Sequence, residues 1–121
     1  MSEVKSYHDL LVWQKGIALV KRVYELTRTF PDSEKFGLVS QMRRAAVSIP
    51  SNIAEGQARH TTGGFIQFIA IAEGSVAELD TQLLIAIELG YCKSDQVQDV
   101  FGLILELRRM LSSLRIKLTS R

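Results

Sequence analysis

Apolar residues recur every three or four positions in four successive stretches of this chain, and nowhere alternate in the every-second pattern of a half-buried strand. The first stretch covers 9–30, with Asp9 placed as its N-cap. It carries two apolar lines. Leu10, Trp13, Ile17, Val20 and Tyr24 read as the core line, while Val12, Leu19, Val23, Leu26 and Phe30 occupy another face. Pro31-Asp32-Ser33 ends this helix and opens the next, because proline cannot continue a helix and Asp or Ser caps a start. The second stretch covers 33–56, with Leu38, Met42, Ala45, Ala46, Ile49 and Ile53 inward and Gly56 as its stop.

Thr61-Thr62-Gly63-Gly64 supplies the next loop and cap. The third stretch, 62–90, turns Phe65, Phe68, Ile69, Ala72, Val76, Leu79, Leu83 and Ile87 inward. The fourth, 94–119, is capped by Ser94 and carries a seam of Val97, Val100, Ile104, Leu107, Leu111, Leu114 and Leu118. Long helices with short connections predict an all-α antiparallel up-down-up-down four-helix bundle, with 1–121 as one domain.

The first and third helices hold more apolar positions than one bundle core uses. Val12, Leu19, Val23 and Leu26 on the first, with Ile66, Ile71, Leu84 and Ile85 on the third, are the candidates for a subunit interface, since monomers rarely expose so large a patch. The alternative is a wide core with scattered exposed aliphatics.

Composition narrows the class. Hydrophobic residues make up 46% of 121 residues, which suits one globular domain and excludes disorder. The single Cys92 excludes an internal disulfide framework and fits a reducing cytoplasm. The first nine residues, MSEVKSYHD, show no signal-peptide core, and Glu73, Glu78, Asp80 and Glu88 interrupt the longest apolar stretch too often for a membrane span.

Charge is distributed unevenly, with basic residues in excess over 1–60 and 93–121 and only carboxylates over 61–92. The basic residues form three candidate clusters for phosphate contact. Lys15, Lys21, Arg22 and Arg28 lie on the first helix, Arg43, Arg44 and Arg59 around the second, and Arg108, Arg109, Arg115 and Lys117 on the fourth. With no base-reading module present, such contacts would favour backbone and shape.

Catalytic chemistry has little to start from. His8 and His60 lack metal-ligand spacing, Cys92 has no paired motif, and Gly63-Gly64 is not part of a phosphate loop. No cofactor, metal or catalytic residue is expected, and the chain reads as a non-enzyme.

The most distinctive segment is the second helix. Pro50 inside a helical pattern predicts a kink, at a usual cost of about 3 kcal/mol. Gln41, Arg44, Ser48, Asn52 and Glu55 fall on one stripe beside the core line. Two roles compete for this stripe. Either Ser48 and Asn52 satisfy backbone groups freed by Pro50 while Arg44 pairs with Glu73 or Asp80, or the stripe faces a partner.

The string Ser48-Ile49-Pro50-Ser51-Asn52-Ile53-Ala54-Glu55-Gly56 resembles the hallmark of the bacterial four-helix bundle proteins encoded in 23S rRNA intervening sequences. Gln41 with Arg44-Ala45-Ala46, Asp9-Leu10 with Val12-Trp13, Phe30-Pro31, Gly74-Ser75 with Glu78-Leu79, and Leu89-Gly90-Tyr91 extend the resemblance over nearly the whole chain. It implies a ring-like homo-oligomer, expected to be a pentamer. It also implies similarity to the accessory variability determinant of diversity-generating retroelements, a basic bundle that associates with a reverse transcriptase and nucleic acid. The expected function is therefore an oligomeric, non-catalytic bundle binding structured RNA or DNA through basic faces. The alternative is a protein-interaction scaffold, such as a reverse-transcriptase accessory subunit, with no direct nucleic-acid role.

Overall fold

A computed structural model describes residues 6–120. Four α-helices stand among them: α1 (Leu11–Thr27), α2 (Leu38–Ala58), α3 (Thr62–Glu88) and α4 (Gln98–Thr119). Short 3-10 turns, Tyr7–Asp9, Asp32–Glu34 and Ser94–Gln96, precede α1, α2 and α4. These turns occupy the places where Asp9, the Asp32-Ser33 pair and Ser94 were expected to cap helices. The α1 and α4 starts, at Leu10 and Val97, have no side-chain cap. Thr61 does cap α3, its hydroxyl accepting from the Gly64 N–H at 3.1 Å.

The helices pack as ring neighbours: α1 on α2, α2 on α3, α3 on α4, and α4 back on α1, with the α2–α3 interface the most extensive. Paired residues ascend one helix while descending its neighbour. Gly16 meets Pro50 while Thr27 meets Arg43, and Lys15 meets Glu106 while Arg22 meets Asp99. Ser48 meets Ser75 while Gly56 meets Phe68. Neighbouring helices in these three interfaces therefore run antiparallel.

The core overturns the assignment of faces on α1. Val12, Leu19 and Val23, expected at a subunit interface, are buried inside the bundle with Gly16 and Thr27. Ile17 and Tyr24, expected inside, are exposed, and Leu10, Trp13 and Val20 are half-buried. The reason is the helix's smallest residue. A Cβ placed on Gly16 would lie 3.3 Å from the Pro50 Cβ, so the Gly16 line approaches α2 more closely than a line bearing Trp13, Ile17 and Tyr24 could. Leu26 and Ile66 are also withdrawn from the surface, half-buried against the core. Of the eight interface candidates only Ile71, Leu84 and Ile85, all on α3, are exposed.

On α2 and α4 the observed core follows the periodicity closely. Met42, Ala45, Ala46, Ile49 and Ile53 are buried on the first, and Val100, Ile104, Leu107, Leu111 and Leu118 on the second. Helix α2 continues through Pro50 and past Gly56, which is not its stop. A Cβ on Gly56 would fall 2.8 Å from the Phe68 Cβ and 3.1 Å from Phe65 Cδ1, so this glycine serves close packing of α2 on α3. The chain leaves α2 only at His60, which takes a left-handed φ of 60°.

Tyr7, His8 and Trp13 form an aromatic cluster where the chain enters α1. The Trp13 ring lies 5.6 Å from Tyr7 and 4.9 Å from His8, centroid to centroid. At the other end of α1, Glu34 bridges two elements. One carboxylate oxygen accepts from the Leu38 N–H at 3.1 Å, at the start of α2, and the other from the Tyr91 hydroxyl at 2.6 Å. The hydroxyl lowers the Glu34 pKa, and the carboxylate raises that of Tyr91.

Candidate nucleic-acid interface

Packing explains most of the motif around Pro50. Ser48 and Ser75 hydroxyls lie 2.8 Å apart, joining α2 to α3. Asn52 donates to the Ser48 carbonyl at 2.7 Å and to its hydroxyl at 2.8 Å, so these two side chains engage each other and Ser75 and leave the carbonyl opposite Pro50 to others. Pro50 is buried over Gly16, and Glu55 pairs with Arg59 at 3.0 Å one turn on. Arg44 does not pair with Glu73 or Asp80. It is exposed beside Glu78, while Glu73 is held by Arg115. The stripe is thus divided: Ser48 and Asn52 are half-buried and engaged with α3 through the Ser48 hydroxyl, while Gln41, Arg44 and Glu55 are exposed.

The basic residues divide by partner. Arg22 grips Asp99 through Nε and through Nη2 at 3.1 Å, with Glu25 at 3.6 Å. This contact raises the Arg22 pKa and lowers that of Asp99. Lys15 meets Glu106 at 3.3 Å, and Arg115 reaches Glu73 at 2.7 and 3.4 Å, with its own pKa raised by that contact. These pairs lace α4 to α1 and α3. Solvent-facing pairs of this kind add little stability, but each already balances its cation. Arg59 also lies over the Phe68 ring at 4.9 Å. Arg43 lies over Tyr24 at 4.5 Å and donates from Nε to the Thr27 hydroxyl at 3.0 Å.

Lys21, Arg28, Arg44, Arg108, Arg109 and Lys117 are exposed and have no ion pair among the described residues. They do not share one face. Only Arg108, Arg109 and Lys117 come together, along a shallow groove between α3 and α4 that also takes in Ser112, Ser113 and Glu73. Glu73 is the one carboxylate in that groove, and Arg115 neutralises it. Arg109, Ser113 and Lys117 recur every fourth residue and also border the neighbouring groove against Leu10–Val12 of α1.

A second concentration of positive charge gathers around Arg43 and Arg44, which the sequence did offer as phosphate contacts, and adds Lys35 and Phe36, which it did not. Lys35 and Phe36, in the turn before α2, line a groove with Tyr24, Arg43 and Arg44. Phe36 is 90% exposed. The available signal was an aromatic residue inside a turn, outside every apolar periodicity.

Other chemistry is sparse. His8 and His60 are exposed, and burial pushes the Cys92 thiol pKa up, away from the reactive thiolate. Among the described residues, no three His, Cys, Asp or Glu side chains are grouped to hold a metal, and no helix is long and apolar enough to cross a membrane.

The fold recurs in a crystal structure from Bacteroides thetaiotaomicron, described as a protein of unknown function from the S23 ribosomal protein family. The two superpose with a TM-score of 0.80 at 23% identity, covering 87% of this chain and 98% of that one. No curated protein matches the chain. The model of the 23S rRNA-intervening sequence proteins matches residues 8–113, nearly the full length of α1 through α4. This chain therefore belongs to the 23S rRNA-intervening sequence protein family.

Proposed function

We propose that the protein is a non-catalytic, oligomeric helical bundle that binds structured RNA or DNA through phosphate contacts. The observation that carries this reading is the trio Arg108, Arg109 and Lys117, exposed around a groove whose single carboxylate is already paired. Unpaired cations there are free to displace counterions from a phosphate backbone, the main source of sequence-independent affinity. Oligomerisation would multiply modest contacts into avidity. Its support is the apolar surface of α3, where Leu84 and Ile85 at one end and Ile71 further back remain exposed although the core is filled.

A titration of duplex nucleic acid across a salt series tests the proposal. Affinity should fall steeply with salt. Arg108→Ala, Arg109→Ala and Lys117→Ala combined should flatten the log–log slope by about 0.9 for each duplex DNA phosphate that the variant no longer neutralises. No binding at low salt by the intact oligomer would overturn it. The second reading, a protein-interaction scaffold such as a reverse-transcriptase accessory subunit, draws on the same exposed aliphatics of α3 and predicts that outcome.

A further inference from the structure

We infer that the groove between α1 and α2 is a subsite for unpaired nucleotides, in which Phe36 is the platform on which a base stacks. This rests on the nucleic-acid reading and adds a second, chemically distinct contact to it. Phe36 is 90% exposed and lies in a turn, so the bundle core makes no use of its ring. The fold gains nothing from burying this side chain, so its apolar surface is left for a ligand. The Lys35 ammonium stands over one face of the ring, 5.5 Å from its centroid, which leaves the opposite face of this exposed side chain for a base.

The groove beside it carries Lys35, Arg43 and Arg44 and is lined by no carboxylate. Arg43 is fixed by Thr27 through Nε and stacked on Tyr24, which leaves its terminal nitrogens without another acceptor among the described residues. Arg44 is exposed and has no ion pair among them. Aromatic faces set in an acid-free basic groove are what a single strand requires: a π-surface for a base and cations for adjacent phosphates. A perfect duplex keeps its base faces stacked on each other and cannot offer one to a protruding phenylalanine. An unpaired strand can.

The turn is held in place from below. Glu34 caps the Leu38 N–H and accepts from Tyr91, so Phe36 stands between two anchored points. The α4 trio lies elsewhere. Arg109 and Lys117 border Leu10–Val12, whereas Tyr24 is twelve residues further along α1, roughly 18 Å at the helical rise. The two contacts can therefore be removed separately.

The test uses a short single strand carrying 2-aminopurine, as RNA and as DNA, and an unlabelled duplex of the same sequence. Stacking on Phe36 should quench the fluorescent base on binding. Phe36→Ala should weaken single-strand binding about 5-fold to 150-fold, the range for losing one stacked base. Phe36→Trp should retain it, and duplex affinity should be unchanged in both variants. RNA and DNA strands should bind alike, since base face and phosphate are common to both. Because Phe36 is solvent-exposed, its replacement spares the fold. Equal single-strand affinity of Phe36→Ala and the unaltered chain would overturn the inference. So would displacement of the strand by an acidic, tyrosine-containing peptide at lower concentration than by unlabelled strand, which would assign the groove to a protein. Duplex binding without any single-strand binding removes this subsite and leaves the α4 reading standing. Loss of both removes both.

Discussion

Gly16 on α1 faces the ring of Pro50 on α2 so closely that a Cβ on the glycine would lie 3.3 Å from the proline Cβ and 3.4 Å from its Cδ. Neither partner can yield easily, since one is backbone and the other a closed ring. Replacing Gly16 by Ala gains up to about 1 kcal/mol of helix propensity but forces an overpacked contact worth about 1–3 kcal/mol. The expected result is a modest net loss of stability in chemical denaturation. Gly56→Ala should lose more, because its Cβ would meet the Phe68 Cβ at 2.8 Å. Gly102→Ala, with open space around it, should gain about 0.5–1 kcal/mol. An order other than this would refute the close-packing role of Gly16 and Gly56.

The Glu34–Tyr91 bridge gives stability a defined pH window. The Glu34 pKa is lowered in the folded chain, so its contribution is complete above the ordinary carboxylate range and fades as pH falls through the lowered value. The Tyr91 pKa is raised, so its contribution is complete below the ordinary phenol range and fades as pH rises through the raised value. The stability difference between the unaltered chain and Tyr91→Phe should be flat between those limits and shrink beyond each. A difference independent of pH throughout would show that the bridge carries no linkage.

Gln82 is buried on α3 and its side-chain oxygen has no hydrogen-bond partner among the described residues. Leaving such an acceptor unmet costs about 1–3 kcal/mol, and Met fills a similar volume without it. Gln82→Met should therefore raise the thermal midpoint by a few degrees. A lower midpoint would mean that the amide has a partner in solution.

Leu84 and Ile85 are 50% and 43% exposed on α3. If they line a subunit interface, Leu84→Glu with Ile85→Glu should convert the assembly to monomers in light scattering after size exclusion, with helicity retained. An unaltered particle mass would place the interface elsewhere.

How much of this was legible in the sequence depends on the distance over which each decision is made. The α4 seam and the Thr61 cap are local, set by spacing and by a hydroxyl three residues from its donor. The choice between the two apolar lines of α1 is not local, because Pro50 on another helix decides it. Both lines have helical period, and only the facing surface tells Gly16 from Trp13. Charge pairing is equally remote. Arg22 and Asp99 are 77 residues apart, and Arg115 and Glu73 are 42 apart, so no cluster count could separate the neutralised cations from Arg108, Arg109 and Lys117. Phe36 was missed for the opposite reason: periodicity selects residues that pack, and this one does not.

The aromatic cluster at the entry to α1 gives the molecule an optical polarity. Trp13 is the sole tryptophan, and it sits among Tyr7 and His8 at the end of α1 that borders Arg109 and Lys117. The opposite end, with Phe36 and Tyr24, contains no indole. Intrinsic emission selectively excited above the tyrosine band thus reports on one pole of the bundle and is blind to the other. An unlabelled, unmutated protein can in this way announce which of its ends a ligand has reached.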